Sequence, residues 1–87
     1  MTKIKFYYVY VLELNNKSLY IGYTTDVKRR FKEHQKGYSK YTKSKRPLKL
    51  IYFEAYLNIR DAKKREEFLK GGSGRKYLKM QLRNYFE

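Results

Sequence analysis

The sequence predicts a single α+β (α/β) domain over residues 1–87, one small sheet with helices packed on it in the order β-β-α-β-α-α. Three stretches carry that expectation. Residues 6–12 (Phe-Tyr-Tyr-Val-Tyr-Val-Leu) are all aromatic, β-branched or aliphatic, the composition of a strand. Residues 26–36 open on Asp26, place Val27 and Phe31 four apart, and end before Gly37, which is the grammar of a capped helix. Residues 58–70 repeat apolar positions at Ile59, Ala62 and Leu69, again with helical spacing.

The elements follow in order. The first strand shows no polar alternation, so it is expected at the centre of the sheet, covered on both faces. Asn15, Asn16 and Lys17 form the turn, and residues 18–23 return as the second strand. Because side chains alternate, an odd-length loop puts Tyr10 and Tyr20 on one face, whereas a two-residue turn would separate them. We expect the odd loop, with Tyr10 opposite Tyr20. The first helix then directs an unusual set inward: Arg30 and His34 share the side of Val27 and Phe31, while Lys28, Arg29, Lys32 and Lys36 can turn to water.

Residues 37–47 hold four cations, two tyrosines and three hydroxyl side chains, a basic loop with interleaved aromatics and room for one helical turn. Lys40, Tyr41, Lys43, Lys45 and Arg46 there suit phosphate and base contacts, and a solvated connector is the plain alternative. Pro47 admits a third strand over 48–56. In the next helix Glu66 falls on the apolar stripe and Glu67 is expected in solvent. Gly71-Gly72 is expected to end that helix and Ser73 to cap the last, whose inner face would be Tyr77, Leu78, Gln81, Leu82 and Tyr85.

Charge is the strongest bulk signal: 22 Lys+Arg oppose 8 Asp+Glu, a formal +14. Such a surface attracts polyanions through counterion release, which makes nucleic acid the expected partner, DNA first and RNA second. An anionic membrane surface is disfavoured because no basic helix has a wide apolar face, and no run could span a bilayer. Solubility alone needs only a charge of about 2–8 in a small domain. With no Cys there is no disulfide or thiolate site, which fits a reducing cytosol and gives a cytoplasmic expectation.

Polar groups where apolar ones were expected (Tyr10, Tyr20, Arg30, His34, Glu66) contain no activated Ser or Cys and no paired carboxylates. Acyl transfer and glycoside hydrolysis are therefore disfavoured. Phosphodiester hydrolysis is within their reach: a carboxylate to hold a hard cation, an arginine for phosphate charge, and a phenol or imidazole to take a proton. A phenol with pKa near 10 is ionised only about once in a thousand at pH 7, so Arg30 and a cation are expected to lower it. Each residue also has an ordinary alternative. The tyrosines could be half-buried strand aromatics, Arg30 a surface cation and His34 structural. Glu66 could simply pair along its own helix with Lys63 or Lys70.

Tyr8-Val9-Tyr10, Tyr20-Ile21-Gly22 ten residues on, then Arg30, His34 and Glu66, resemble the GIY-YIG nuclease family in order and spacing. The likeness runs from about residue 6 to 85 and is greatest to small stand-alone bacterial members related to the excinuclease C subunit. Residues 46–52 and 72–75 read much like theirs. Tyr8-Val9 stands where the first motif has Gly-Ile, and Tyr23 stands where some members carry lysine. The resemblance implies a three-stranded, mainly antiparallel sheet flanked by helices and an endonuclease with one Mg²⁺ or Mn²⁺. It implies Tyr10 as general base, Tyr20 lining the site, Gly22 for close backbone approach, Arg30 on phosphate, His34 assisting Tyr10 and Glu66 on the metal. Lys28 would join the basic loop in binding nucleic acid, and Asn84 would match a C-terminal asparagine of some members. A nucleic-acid-binding module with little catalysis is the second reading.

Overall fold

A computed structural model describes residues 3–87. Three strands, β1 (Tyr7–Glu13), β2 (Leu19–Thr24) and β3 (Lys49–Tyr56), form one antiparallel sheet in the order β2-β1-β3. The unbroken apolar run of β1 does sit at the centre, buried from Val9 through Glu13. Helix α1 (Val27–Gln35) and the short α2 (Lys40–Lys43) follow β2, and α3 (Ile59–Lys70), α4 (Gly72–Gln81) and α5 (Arg83–Phe86) follow β3.

The sheet is clad on both sides, and the period-two alternation of its strands decides which residues face which layer. Val9 and Val11 join Leu19, Ile21, Ala62, Leu69 and Leu78 in a core under α3 and α4. Tyr10, Leu12 and Leu14 point the other way, onto Leu48, Leu50, Tyr20 and the α1 residue Phe31. Both cores are small, as 87 residues allow. A polar cluster ties α3 to β3: Glu54 accepts from the Tyr52 hydroxyl at 2.6 Å, from Tyr56, and from Arg65 Nε at 2.9 Å and Nη2 at 3.1 Å. Burial alone would push the Glu54 carboxyl up in pKa, but these donors hold it below its ordinary value.

Several local expectations are corrected. The hairpin loop is odd, as expected, but spans five residues between Glu13 and Leu19, with Lys17 in the left-handed region at φ 71°. The loop is centred on Asn16, with the Leu14 amide donating to Ser18 O at 2.9 Å around the Asn15-Asn16-Lys17 turn, so Tyr10 pairs with Gly22 and Tyr20 with Leu12, and the two phenols share a face but are diagonal neighbours rather than opposite. Asn16 stabilises the wider loop by accepting from the Ser18 amide and hydroxyl. Helix α4 starts at Gly72 with Gly71 as N-cap, so Ser73 lies inside its first turn. The last helix breaks at Leu82; Leu78 is buried, but Tyr77 and Tyr85 remain partly in solvent. Ile59, the first residue of α3, is exposed too.

Candidate active site

The α1 helix begins where Asp26 accepts from the Arg29 amide at 3.0 Å and ends at Gly37, whose φ of 85° suits a residue without Cβ. That frame fixes the rotation of the helix and aims Arg30 and His34 at the phenol face of the sheet. His34 is fully buried. Its Nε2 lies 2.8 Å from the Tyr10 hydroxyl and its Nδ1 2.8 Å from Thr42 Oγ1, so both ring nitrogens are satisfied. Tyr20 packs against the same ring, with centroids 5.2 Å apart, and is 6.3 Å from Tyr10.

Tyr10 is 2 % exposed and its ring lies directly over Gly22, where a Cβ would collide with the phenol carbon and oxygen. The Gly22 of the second motif is thus the cross-strand partner that lets Tyr10 lie flat and reach His34. Burial pushes the Tyr10 phenol up to about 12, and the Tyr20 phenol adds to this. The Arg30 guanidinium beside it pulls the other way without prevailing, so the expected lowering of this pKa is met in the sign of Arg30's effect and not in the outcome. Burial, reinforced by Arg30, takes His34 down to about 4. At neutral pH the pair is an uncharged phenol against an uncharged imidazole.

That depression has a consequence for folding. An unfolded histidine titrates near 6.5, so between pH 6.5 and 4 the unfolded chain binds the extra proton and the folded chain does not. Stability should fall as pH drops through that window, by on the order of 3 kcal/mol from this residue between pH 7 and 4. Urea unfolding at the two pH values, for the wild-type chain and for His34→Gln, separates this contribution from that of the carboxylates. Equal pH dependence in both chains would show that His34 does not carry it.

Arg30 is partly exposed and donates from Nη1 to Glu33 Oε1 at 3.0 Å, while its remaining N–H groups meet no second carboxylate among the described residues. On the far side of Tyr20, Tyr41 stacks on its ring at 5.8 Å, and Lys45 Nζ stands 4.1 Å above Tyr41. A cleft of about 250 Å³ opens there between Leu19, Tyr20, Ile21, Tyr41, Lys70 and Arg75. It brings α3 into the picture: Lys70 Nζ is 3.1 Å from Glu66, and Lys63 is 3.8 Å from the same carboxylate while covering the Tyr23 ring. Glu66 is thus held by two lysines that reach the Tyr23 ring and the cleft, and, after burial and Tyr20, its charge adds to the rise in Tyr10's pKa.

Most of the residues anticipated from sequence gather here. Tyr10, Tyr20, Arg30 and His34 share one face, with Glu66 approaching from the helix layer behind it. Lys28, Lys40, Tyr41 and Lys43 are exposed, and Tyr41 joins the site through its stack on Tyr20. Arg46 is committed otherwise: its Nε donates to Lys43 O at 2.9 Å and Nη1 to Gln35 O at 3.1 Å, stapling the basic loop to the end of α1. Asn84 is exposed on α5, on the α3–α4 side of the sheet, away from the Tyr10–His34 pair. Two partners were not foreseen. Glu33 carried an i, i+3 signal to Arg30, but Thr42 was one hydroxyl among three in a polar loop, and nothing local marks it as buried.

As for a metal, Glu66 is the carboxylate on offer; among the described residues no three His, Cys, Asp or Glu side chains gather around a common point. Its side chain is 16 % exposed and already attracts two ammonium groups along its helix. Such i, i+3 and i, i+4 pairs contribute only about 0.2–0.5 kcal/mol each, so they would yield to a divalent ion. A single hard-oxygen donor with solvent access fits Mg²⁺ or Mn²⁺, which keep most of their waters. Among the described residues, no helix is long and apolar enough to cross a membrane.

A family model described as the GIY-YIG catalytic domain matches residues 6–79. A UPF0213 protein of Clostridium perfringens is 44% identical over 64 residues, covering 72% of this chain and 69% of its own. Another from Syntrophus aciditrophicus is 39% identical over 79 residues, covering 88% and 91%. The solution NMR structure of a UPF0213 protein from Bacillus halodurans superimposes with a TM-score of 0.55 at 37% identity, over 84% of this chain and 81% of that one.

Proposed function

Because this chain belongs to the GIY-YIG family, a nuclease-type domain, we propose that it is a metal-dependent endonuclease hydrolysing DNA phosphodiester bonds, with branched or damaged DNA as the first substrates to test. The observation that carries the reading is the meeting of Tyr10, Tyr20, Arg30 and His34 on one face of the sheet, bordered by the Glu66 carboxylate.

The roles follow from exposure. Arg30, with N–H groups that no second carboxylate takes, binds the scissile phosphate and offsets the charge that grows on it. Tyr20, half-buried and at the cleft, is the phenol that meets phosphate or the attacking water. Tyr10 is too deeply buried to reach bulk solvent, and at a pKa of about 12 only about one molecule in 10⁵ is ionised at pH 7. It therefore serves first as an orienting hydrogen-bond group, with His34 Nε2 placed to accept its proton and Thr42 steadying the other ring nitrogen. Glu66 would hold one Mg²⁺ or Mn²⁺, which when bound supplies positive charge against the phosphate and makes nearby phenols more acidic. Exposed Lys28, Lys40, Lys43 and Tyr41 draw in the polyanion.

The test is cleavage of branched and single-stranded DNA with and without Mg²⁺ or Mn²⁺. Glu66→Gln should reduce turnover at least ~10²-fold while leaving DNA affinity within about twofold, since one neutralised carboxylate scarcely changes so basic a surface. A binding module without turnover is the second reading, favoured by the burial of Tyr10 and by the two lysines on Glu66. Steeply salt-dependent DNA or RNA binding with no metal-dependent cleavage would establish it.

A further inference from the structure

The phenol face of the sheet continues past the covered site. Helix α1 starts at Val27 and covers the sheet from Tyr10 toward Leu14, which leaves the other end of the same face open. Tyr8, two residues from Tyr10 and so on the same face, lies there with Phe53, the β3 partner of Tyr10. Their rings meet edge to face at 5.9 Å, and Phe6 adds a third ring 6.3 Å from Tyr8. Phe53 is 51% exposed and Phe6 38%. A cleft of about 320 Å³ separates the Tyr8 and Phe53 rings from the first turn of α1, with Val27 and Lys28 in its wall.

Three contiguous aromatic rings, Phe6 and Phe53 exposed and Tyr8 half-buried, make the kind of apolar patch that marks an interaction site. Charge selects the occupant. The cleft wall holds one cation, Lys28, and one carboxylate, Asp26, whose oxygen already caps the Arg29 amide, so the selecting charge is that of the surroundings: Arg30 projects from the next turn of the same helix in a chain of net charge +14. An anionic ligand with a flat apolar part matches that combination. Bases in an intact duplex are stacked inside and cannot reach a protein ring, whereas an unpaired base can. We propose that Phe53 and Tyr8, with Phe6 beside them, form a stacking platform for an unpaired nucleobase next to the phosphate held at Arg30. This rests on the nucleic-acid reading of the adjacent site, and it makes single-stranded or locally opened nucleic acid the substrate class.

The chain has no tryptophan, so Phe53→Trp introduces a single indole reporter at an exposed position that can accept the larger ring. The probes are an oligothymidylate of roughly twelve nucleotides, an abasic strand with the same phosphates, and a duplex of equal length. The platform requires that oligothymidylate quench the indole and that the abasic strand and duplex bind without comparable quenching. Phe53→Ala should weaken oligothymidylate binding by roughly fivefold to a hundredfold and spare the duplex, with the salt slope unchanged because no phosphate contact is lost. Strong binding of all three probes with no base-dependent quenching would overturn the platform and leave the nucleic-acid reading standing. Failure to bind any polyanion would overturn both. Quenching that tracks protein concentration without DNA would assign the patch to a second copy of the chain and overturn the platform.

Discussion

Arg30→Ala is expected to lower metal-dependent DNA cleavage by about 10²–10³, the loss typical when one preorganised donor to a developing oxyanion is removed. The affinity for DNA should change much less, under about tenfold, because all the other Lys and Arg side chains of the 22 remain. A double-logarithmic plot of binding against salt should become shallower by about one, the signature of a single phosphate contact. Two features make Arg30 the sensitive position. Glu33 fixes one side of its guanidinium at 3.0 Å, so the remaining N–H groups are presented in a defined direction. It also stands beside Tyr10 as a cation that opposes the effect of burial on the phenol, and without it burial acts unopposed. Arg30→Lys keeps the charge but loses the planar fork, and should recover only part of the rate. Single-turnover cleavage with Mg²⁺, alongside direct binding, separates the two effects; wild-type cleavage by Arg30→Ala would remove Arg30 from the chemistry.

What could be read from the residues follows how local each signal is. The centre of the sheet was legible because the run 6 to 12 has no polar alternation; burial on both faces holds from Val9 onward, while Phe6 and Tyr8 at its start keep contact with solvent. The inward turn of Arg30 and His34 was legible because helical spacing from Val27 and Phe31 fixes their direction. Parity of the hairpin loop decides which face each phenol takes, and that was legible too. Its centre was not: Asn15, Asn16 and Lys17 tolerate several turns, and the left-handed Lys17 with the Asn16–Ser18 bonds centres the loop on Asn16, one residue later than Tyr10 opposite Tyr20 requires. Glu66 showed both of its faces at once, half-buried as its stripe position predicted and ion-paired along its helix as its neighbours predicted. Thr42 was hidden because its role depends on a bond eight residues back to a side chain whose own burial is set by the sheet. The break at Leu82 was hidden as well, since no glycine or proline announces it.

Gly22→Ala is expected to damage fold and site together. The added methyl would occupy space already filled by the Tyr10 ring carbons and hydroxyl, in contact rather than near it. Neither partner can withdraw easily. Gly22 is pinned by the β1–β2 ladder, and Tyr10 is buried between that strand and α1. Overpacking of this kind costs about 1–3 kcal/mol. Displacing the phenol also breaks its 2.8 Å bond to His34 and leaves a buried nitrogen short of a partner, about 1–3 kcal/mol more where no water replaces it. A loss of about 2–4 kcal/mol in urea unfolding at pH 7 is expected, since the two penalties overlap in one movement. The same displacement lets water reach the imidazole, so the His34 pKa, followed by its ring-proton shifts, should climb from about 4 toward the unfolded value near 6.5. Tyr10→Phe removes the hydroxyl half of the collision, so in that background the added methyl should cost less. If Gly22→Ala costs little, or costs the same with and without the Tyr10 hydroxyl, then the ring over Gly22 is not what holds Tyr10 against His34.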